Sequence, residues 1–219
     1  MSEAAARRIA LRDRILEAAL LHAPFDGWTD RVLEHAARDA GVDPATARRL
    51  FPRGGDGLLE WLDDWADRRM LAAVAEEDLA ALPLHRRIAR LLWARFTVLA
   101  PHREALRRAV VAKGLPHNLP GGLQALWRTV DRIWKAAGVR EAEDRGFSRY
   151  TRRALLAAVL VTTFFYWLED ESDDSIATRA FLDRRLRDVL VLGRTVGRLA
   201  DFLPAPFRRR PGAAGTGPS

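Results

Sequence analysis

Residues 154–168 are an almost uninterrupted apolar run, and no other feature constrains the fold as much. Tyr150-Thr151-Arg152-Arg153 precedes it and Glu169-Asp170-Glu171 follows it. A bilayer span needs about 20 apolar residues, so the run is too short to cross one. Thr162 and Thr163 also interrupt it. A helix apolar on all sides has to be covered by other elements, which implies a bundle.

The rest of the chain supplies that bundle. Helical periodicity dominates, and no segment reads as a strand or an internal repeat. The spacing predicts a first helix over about 5–22, broken at Pro24 to Gly27. A second runs over about 29–40, with Thr29 as N-cap and Gly41 as its stop. Asp43 caps a short third helix that has Pro44 at its first position, where the missing N–H costs nothing. A fourth helix carries Leu58, Leu62, Trp65 and Met70 to about Ala80. Pro83 and Pro101 bracket a fifth, and a sixth covers about 104–112. A seventh places Leu123, Leu126, Trp127, Val130 and Trp134 on one stripe and stops at Gly138. The apolar helix and a last one over about 175–202 complete the set. The expected class is all-α. It comprises a helix-turn-helix-like N-terminal domain (1–55), a C-terminal helical domain (56–203), and a disordered Pro/Gly/Arg tail (204–219).

Several chemistries are excluded or disfavoured. Cysteine is absent, so there is no disulfide, thiol nucleophile or Cys metal site. His22, His35, His85 and His102 are scattered without metal-ligand spacing. Gly54, Gly55 and Gly57 lack the Lys and Ser/Thr of a phosphate loop. No catalytic residue, metal or cofactor is expected. The net charge of +7 and pI near 10.9 would usually suggest an anionic partner. Here Lys113 and Lys135 are the only lysines, and the Arg- and Ala-rich composition is that of a GC-rich genome. Arg208 to Arg210 supply three of the charges, leaving the body only weakly basic.

The second and third helices, joined by Gly41-Val42-Asp43, have the layout of a helix-turn-helix. Ile15-Leu16-Ala18-Ala19, Gly27-Trp28-Thr29, Ala36-Ala37-Ala40-Gly41-Val42 and Leu50-Phe51 resemble the N-terminal core of TetR-type regulators. DNA-binding members carry a Tyr late in the short helix and a Lys at the start of the next, both gripping phosphate. This chain has Arg49-Leu50-Phe51 and Gly54-Gly55-Asp56-Gly57 instead. Phosphate contacts carry most DNA affinity, so nucleic acid is not the expected partner, although Arg48, Arg49 and Arg53 could reach a backbone. A regulator responding to a hydrophobic ligand is the alternative reading.

In the C-terminal part, Leu156, Val159, Leu160, Thr163, Phe164 and Trp167 are expected to share an apolar cavity with Trp93, Phe96, Trp127, Val130 and Trp134. Ligand pockets are lined this way, with few polar groups. The bland alternative is a solid core. Pro116-His117-Asn118-Leu119-Pro120 is the most distinctive short motif, a stiff corner with directed donors and acceptors.

Leu115-Pro116-His117-Asn118-Leu119-Pro120, Asp131-Arg132-Ile133-Trp134 with Ala137-Gly138, and Tyr150 to Ala158 resemble the ubiquinone-biosynthesis accessory family Coq nine. Arg14 to Ala19, Phe181-Leu182 and Arg184-Arg185 fit the same pattern, and the likeness covers about 12–197. The resemblance implies a TetR-like homodimer without enzymatic activity. It implies a pocket that binds an isoprenoid quinone intermediate or phospholipid, presented at the membrane surface to the demethoxyubiquinone hydroxylase. It also implies a partner-binding patch at Pro116, His117, Asn118, Leu119, Pro120, Asp131, Trp134, Tyr150, Arg152 and Arg153.

Two departures from the family stand out. Arg149 replaces a Trp that the family often has before Tyr150. Pro204 and Pro206 forbid the long C-terminal helix of mitochondrial members. With no transit peptide visible, the expectation is a bacterial member, cytoplasmic or peripheral on the inner face of the cytoplasmic membrane.

Overall fold

The computed structural model describes residues 2–139 and 147–202, with side chains for 2–139 and 150–189. The tail, Arg149 and the end of the last helix beyond Val189 therefore lie outside the described side chains. Nine α-helices and no strand occur among the described residues. They are α1 (Glu3–Asp26), α2 (Asp30–Asp39), α3 (Pro44–Leu50), α4 (Gly54–Ala73), α5 (Leu84–Leu99), α6 (Arg103–Lys113), α7 (Leu119–Ala136), α8 (Phe147–Leu168) and α9 (Ile176–Phe202).

Local chemistry sets most of the boundaries. The side chains of Ser2, Thr29 and Asp43 accept from the backbone N–H three residues on, capping α1, α2 and α3. Gly41 and Gly138 take φ of +63° and +79° just past α2 and α7, where a side chain would be strained.

Two boundaries differ from expectation. α1 runs through Pro24, because the fixed φ of proline is itself helical. The turn ends at Gly27, whose φ is +68°. α4 stops at Ala73 rather than Ala80. Glu76, Glu77 and Asp78 follow, and acidic side chains oppose the negative end of a helix dipole. Asp78 instead caps a short 3₁₀ turn, Leu79–Ala81.

Packing joins the front of the chain to the back. α1 lies against α2 and α6, α4 against α5 and α7, and α8 against α7 and α9. The indole N–H of Trp28 donates to the carbonyl of Ala105 on α6 across 3.0 Å. One apolar core runs from Ile15 to Leu186, so the boundary at residue 55 falls inside α4, a helix that serves both parts.

α8 is not apolar-buried all round. Leu156, Val159, Leu160, Trp167 and Leu168 are buried, whereas Phe165 is 50% exposed and Tyr166 stacks on Phe181 at the surface. The α7 stripe likewise starts outside the core. Val130 and Trp134 are buried, but Leu123 is 60% exposed and Trp127 40%. Among the described residues, no helix is long and apolar enough to cross a membrane.

Candidate functional site

Helices α4 to α8 enclose a cavity of about 390 Å³. Leu160, Val161, Phe164 and Phe165 of α8 form one wall, and Leu119, Leu123 and Leu126 of α7 another. Around this mouth the exposed apolar side chains include Leu119, Leu123 and Phe165. Trp127 of α7 stacks on Tyr150 of α8, with centroids 6.5 Å apart and planes within 20°.

The far wall is polar. Asp63 of α4, Arg95 of α5, Lys113 of α6 and Thr129 of α7 all line the cavity. Lys113 Nζ donates to Asp63 Oδ2 at 2.6 Å, and Arg95 Nη2 donates to Asp63 Oδ1 at 3.2 Å. Arg95 Nη1 bonds the fully buried Asp67, which also accepts from Thr129 Oγ1 at 2.9 Å and Arg132 Nη1 at 3.1 Å. Arg132 continues to Asp64 at 2.6 Å, and Arg68 joins Asp64 to Asp13. Burial raises the Asp63 pKa, but Lys113 and Arg95 outweigh it and hold the carboxyl below the usual range. For Asp67 burial prevails over the pull of Arg95 and Thr129, and the pKa is raised.

This network was missed in the sequence. Its signal was present: Asp63 and Asp67 sit four apart on a helix otherwise packed through Leu62 and Met70. Arg95 also interrupts the apolar face of α5.

The expected single apolar cavity is corrected to two, with a solid core between the remaining members. Leu160 and Phe164 line the first cavity. Trp134, Leu156 and Val159 line a second, of about 510 Å³, with Ile88, Arg152 and Leu186. Phe96, Val130, Thr163 and Trp167 are packed in the core, Phe96 against Trp167 at 5.4 Å. Trp93 sits under Arg179, 4.1 Å from its ring, and Trp127 is at the surface. The division follows from α8 itself. Its first half faces α5, α7 and α9, and its second half faces α6 and the start of α7.

The Pro-His-Asn corner is also rearranged relative to expectation. Pro116, His117, Leu119 and Pro120 are exposed, but Asn118 is buried. Its amide donates to Asp56 Oδ1 at 2.7 Å and to the Ala112 carbonyl at 3.2 Å. His117 Nε2 lies 3.5 Å from Asp56 Oδ2. The acidic residue at the start of α4 thus anchors the corner. Trp134 and Arg153 are buried too, Arg153 donating to Asp131 at 3.1 Å beside the Trp134 ring. Asn118, Trp134 and Arg153 therefore belong to the interior and not to an exposed surface. Tyr150, Arg152 and half-exposed Asp131 remain outward. Burial opposes ionisation of Asp131, yet Lys135 and Arg153 keep its carboxyl below the usual range.

At the front, Arg48 pairs with Glu34, Arg49 with the Thr46 hydroxyl, and Arg53 with Glu60.

The sequence model of the COQ9 family matches residues 119–193, the stretch that holds α7, α8 and the start of α9. The Homo sapiens protein named "Ubiquinone biosynthesis protein COQ9, mitochondrial" is 32% identical over 214 residues, covering 94% of this chain and 66% of that protein. Its Rattus norvegicus counterpart is 31% identical, covering 94% and 67%.

The chain belongs to the COQ9 family.

It spans about two thirds of the length of these curated relatives. Among solved structures, the crystal structure of the TetR transcriptional regulator from Nitrosomonas europaea ATCC 19718 is similar, with a TM-score of 0.66 and 27% identity. The match covers 83% of this chain and 98% of that one. The all-α, TetR-like expectation is thereby met. The expected bacterial cytoplasmic location is overturned, because the COQ9 relatives are named as mitochondrial proteins of eukaryotes, Drosophila melanogaster included.

Proposed function

We propose that this COQ9-family chain is a non-catalytic accessory protein of ubiquinone biosynthesis. It binds an isoprenoid quinone intermediate or phospholipid and presents it to the demethoxyubiquinone hydroxylase at the membrane surface, working as a homodimer. The observation that carries this reading is the cavity between α4 and α8, whose apolar walls open onto exposed Leu119, Leu123 and Phe165. Its volume of about 390 Å³ lies within the range of ligand sites. The names of the COQ9 relatives supply the pathway.

The physical rationale is transfer cost. Each Å² of isoprenoid surface left in water costs about 25 cal/mol. A protein cavity with an apolar mouth lowers the cost of drawing such a lipid out of the bilayer. The ion pairing of Arg48 with Glu34 and of Arg53 with Glu60, and Asp56 at the start of α4, support a scaffold role for the helix-turn-helix.

The test is mass spectrometry of the organic extract from protein purified out of a ubiquinone-making host. Near-stoichiometric quinone intermediate or phospholipid is expected, lost in Leu160→Trp, which fills the cavity. A clean extract from the wild-type protein, or equal lipid in both, would refute the pocket.

A further inference from the structure

The apolar cavity has a polar end built by four helices, and its donors exceed its acceptors. A lysine ammonium has three N–H donors. Lys113 uses one, towards Asp63 Oδ2 at 2.6 Å. Among the described residues no other acceptor is bonded to it, and its side chain keeps 28% of its exposure. Both oxygens of Asp63 are occupied, Oδ1 by Arg95 and Oδ2 by Lys113. Thr129 turns its hydroxyl hydrogen to Asp67. Arg95 and Lys113 thus both spend donors on Asp63 at the cavity wall, and the unused N–H groups of Lys113 leave this end rich in donors. Opposite it stand only apolar side chains, Leu160, Val161 and Phe164 among them.

A pure hydrocarbon guest would cover these donors and leave them unsatisfied, which is costly in a low-dielectric site. An acceptor oxygen placed against Lys113 removes that cost. Resting on the lipid-binding reading above, we infer that the guest enters head first. It is a single-tailed amphiphile whose head carries an acceptor oxygen, held by the spare donors of Lys113. Its tail leads out past Leu123 and Phe165. Arg95 is a positioning residue, because its guanidinium is committed to Asp67 and Asp63 and fixes the carboxylate that orients Lys113. The head must be compact, since the polar wall shares about 390 Å³ with the first part of the tail. A quinone carbonyl and a fatty carboxylate share this chemistry.

The experiment measures binding of three probes by equilibrium dialysis: a decyl-substituted dimethoxy-methyl-benzoquinone, dodecanoate, and farnesene, which has no oxygen. They are compared on the wild-type chain, Lys113→Met and Lys113→Arg. Lys113→Met keeps the length and apolar stem of the side chain and removes the donors. The expected result is a loss of about tenfold or more for an oxygen-bearing probe in Lys113→Met. Farnesene binding stays unchanged, and Lys113→Arg recovers most of the loss. The probe that loses more identifies the head as carbonyl or carboxylate. Equal affinities of wild type and Lys113→Met for both oxygen-bearing probes, with binding still abolished by Leu160→Trp, would overturn the head-first orientation and leave the pocket intact. Failure of all three probes to bind the wild-type chain would overturn the pocket itself, and the orientation with it. A uniform loss of all three probes in Lys113→Met, not recovered by Lys113→Arg, would mean a packing role and also overturn the inference.

Discussion

Replacing Arg95 by Met should cost about 3 kcal/mol of folding stability, and the reasoning starts from Asp67. That carboxylate has no exposed surface and is held by Arg95, Arg132 and Thr129. Removing one partner of a buried ion pair costs about 3–5 kcal/mol, because the remaining charge is left without compensation. Asp67 keeps two donors and Asp63 keeps Lys113, so the low end of that range applies. For a chain of this size the loss corresponds to about 6–12 °C in Tm. Urea unfolding at neutral pH, followed by circular dichroism, measures it. The pH dependence gives a second check. Burial already raises the Asp67 pKa, and loss of Arg95 raises it further. The penalty belongs to the ionised form, so it is full above the folded-state pKa and shrinks as pH falls below it. The difference between variant and wild type should therefore narrow as pH falls from neutral towards the unfolded carboxylate value of about 3.9. The double variant Arg95→Met with Asp67→Leu should recover most of the loss, as apolar replacement of buried pairs generally does. A single variant within about 1 kcal/mol of wild type, or a double variant no more stable than the single, would refute this account of the network.

Two further outcomes follow from local geometry. Asp170 accepts from the backbone N–H and hydroxyl of both Ser172 and Thr178, which lowers its pKa to about 2 against the opposing effect of burial. A depressed carboxyl pKa adds stability above the unfolded value near 3.9, about 1–2 kcal/mol here, and that contribution is lost as pH falls through about 2. Asp170→Asn should thus destabilise at pH 7 and make little difference at pH 2, and acid titration of the two proteins side by side tests this. Gly55→Ala would place a Cβ 2.4 Å from the Trp28 carbonyl oxygen, a backbone clash costing about 1–3 kcal/mol. Gly122→Ala meets nothing within 4 Å inside α7 and should stabilise by about 0.5–1 kcal/mol, so thermal melts of the pair should move in opposite directions.

The gap between the expected and observed site has a physical cause. Leu160 and Phe164 could be assigned to an apolar wall because four-residue spacing puts them on one helix face. Spacing cannot say which neighbour that face meets. Trp134, Leu156 and Val159 therefore fell into a different cavity, and Phe96, Val130, Thr163 and Trp167 into solid core. The Pro-His-Asn corner was visible as a motif, but its anchor, Asp56, lies sixty-two residues earlier in the chain.

By itself the sequence determined the helices, their caps and the class. Thr29, Asp43, Gly41 and Gly138 act through hydrogen bonds and dihedral limits within a few residues. The Tyr150 to Ala158 and Leu115 to Pro120 motifs were enough to point to the COQ9 family. Only the tertiary structure decided where the charges went. Asp63, Arg95, Lys113 and Thr129 come from four helices, and nothing local to any of them brings the four together. Packing the apolar faces of α4 to α7 brought them to one wall, where a buried charge must find a partner or lose its ionised form.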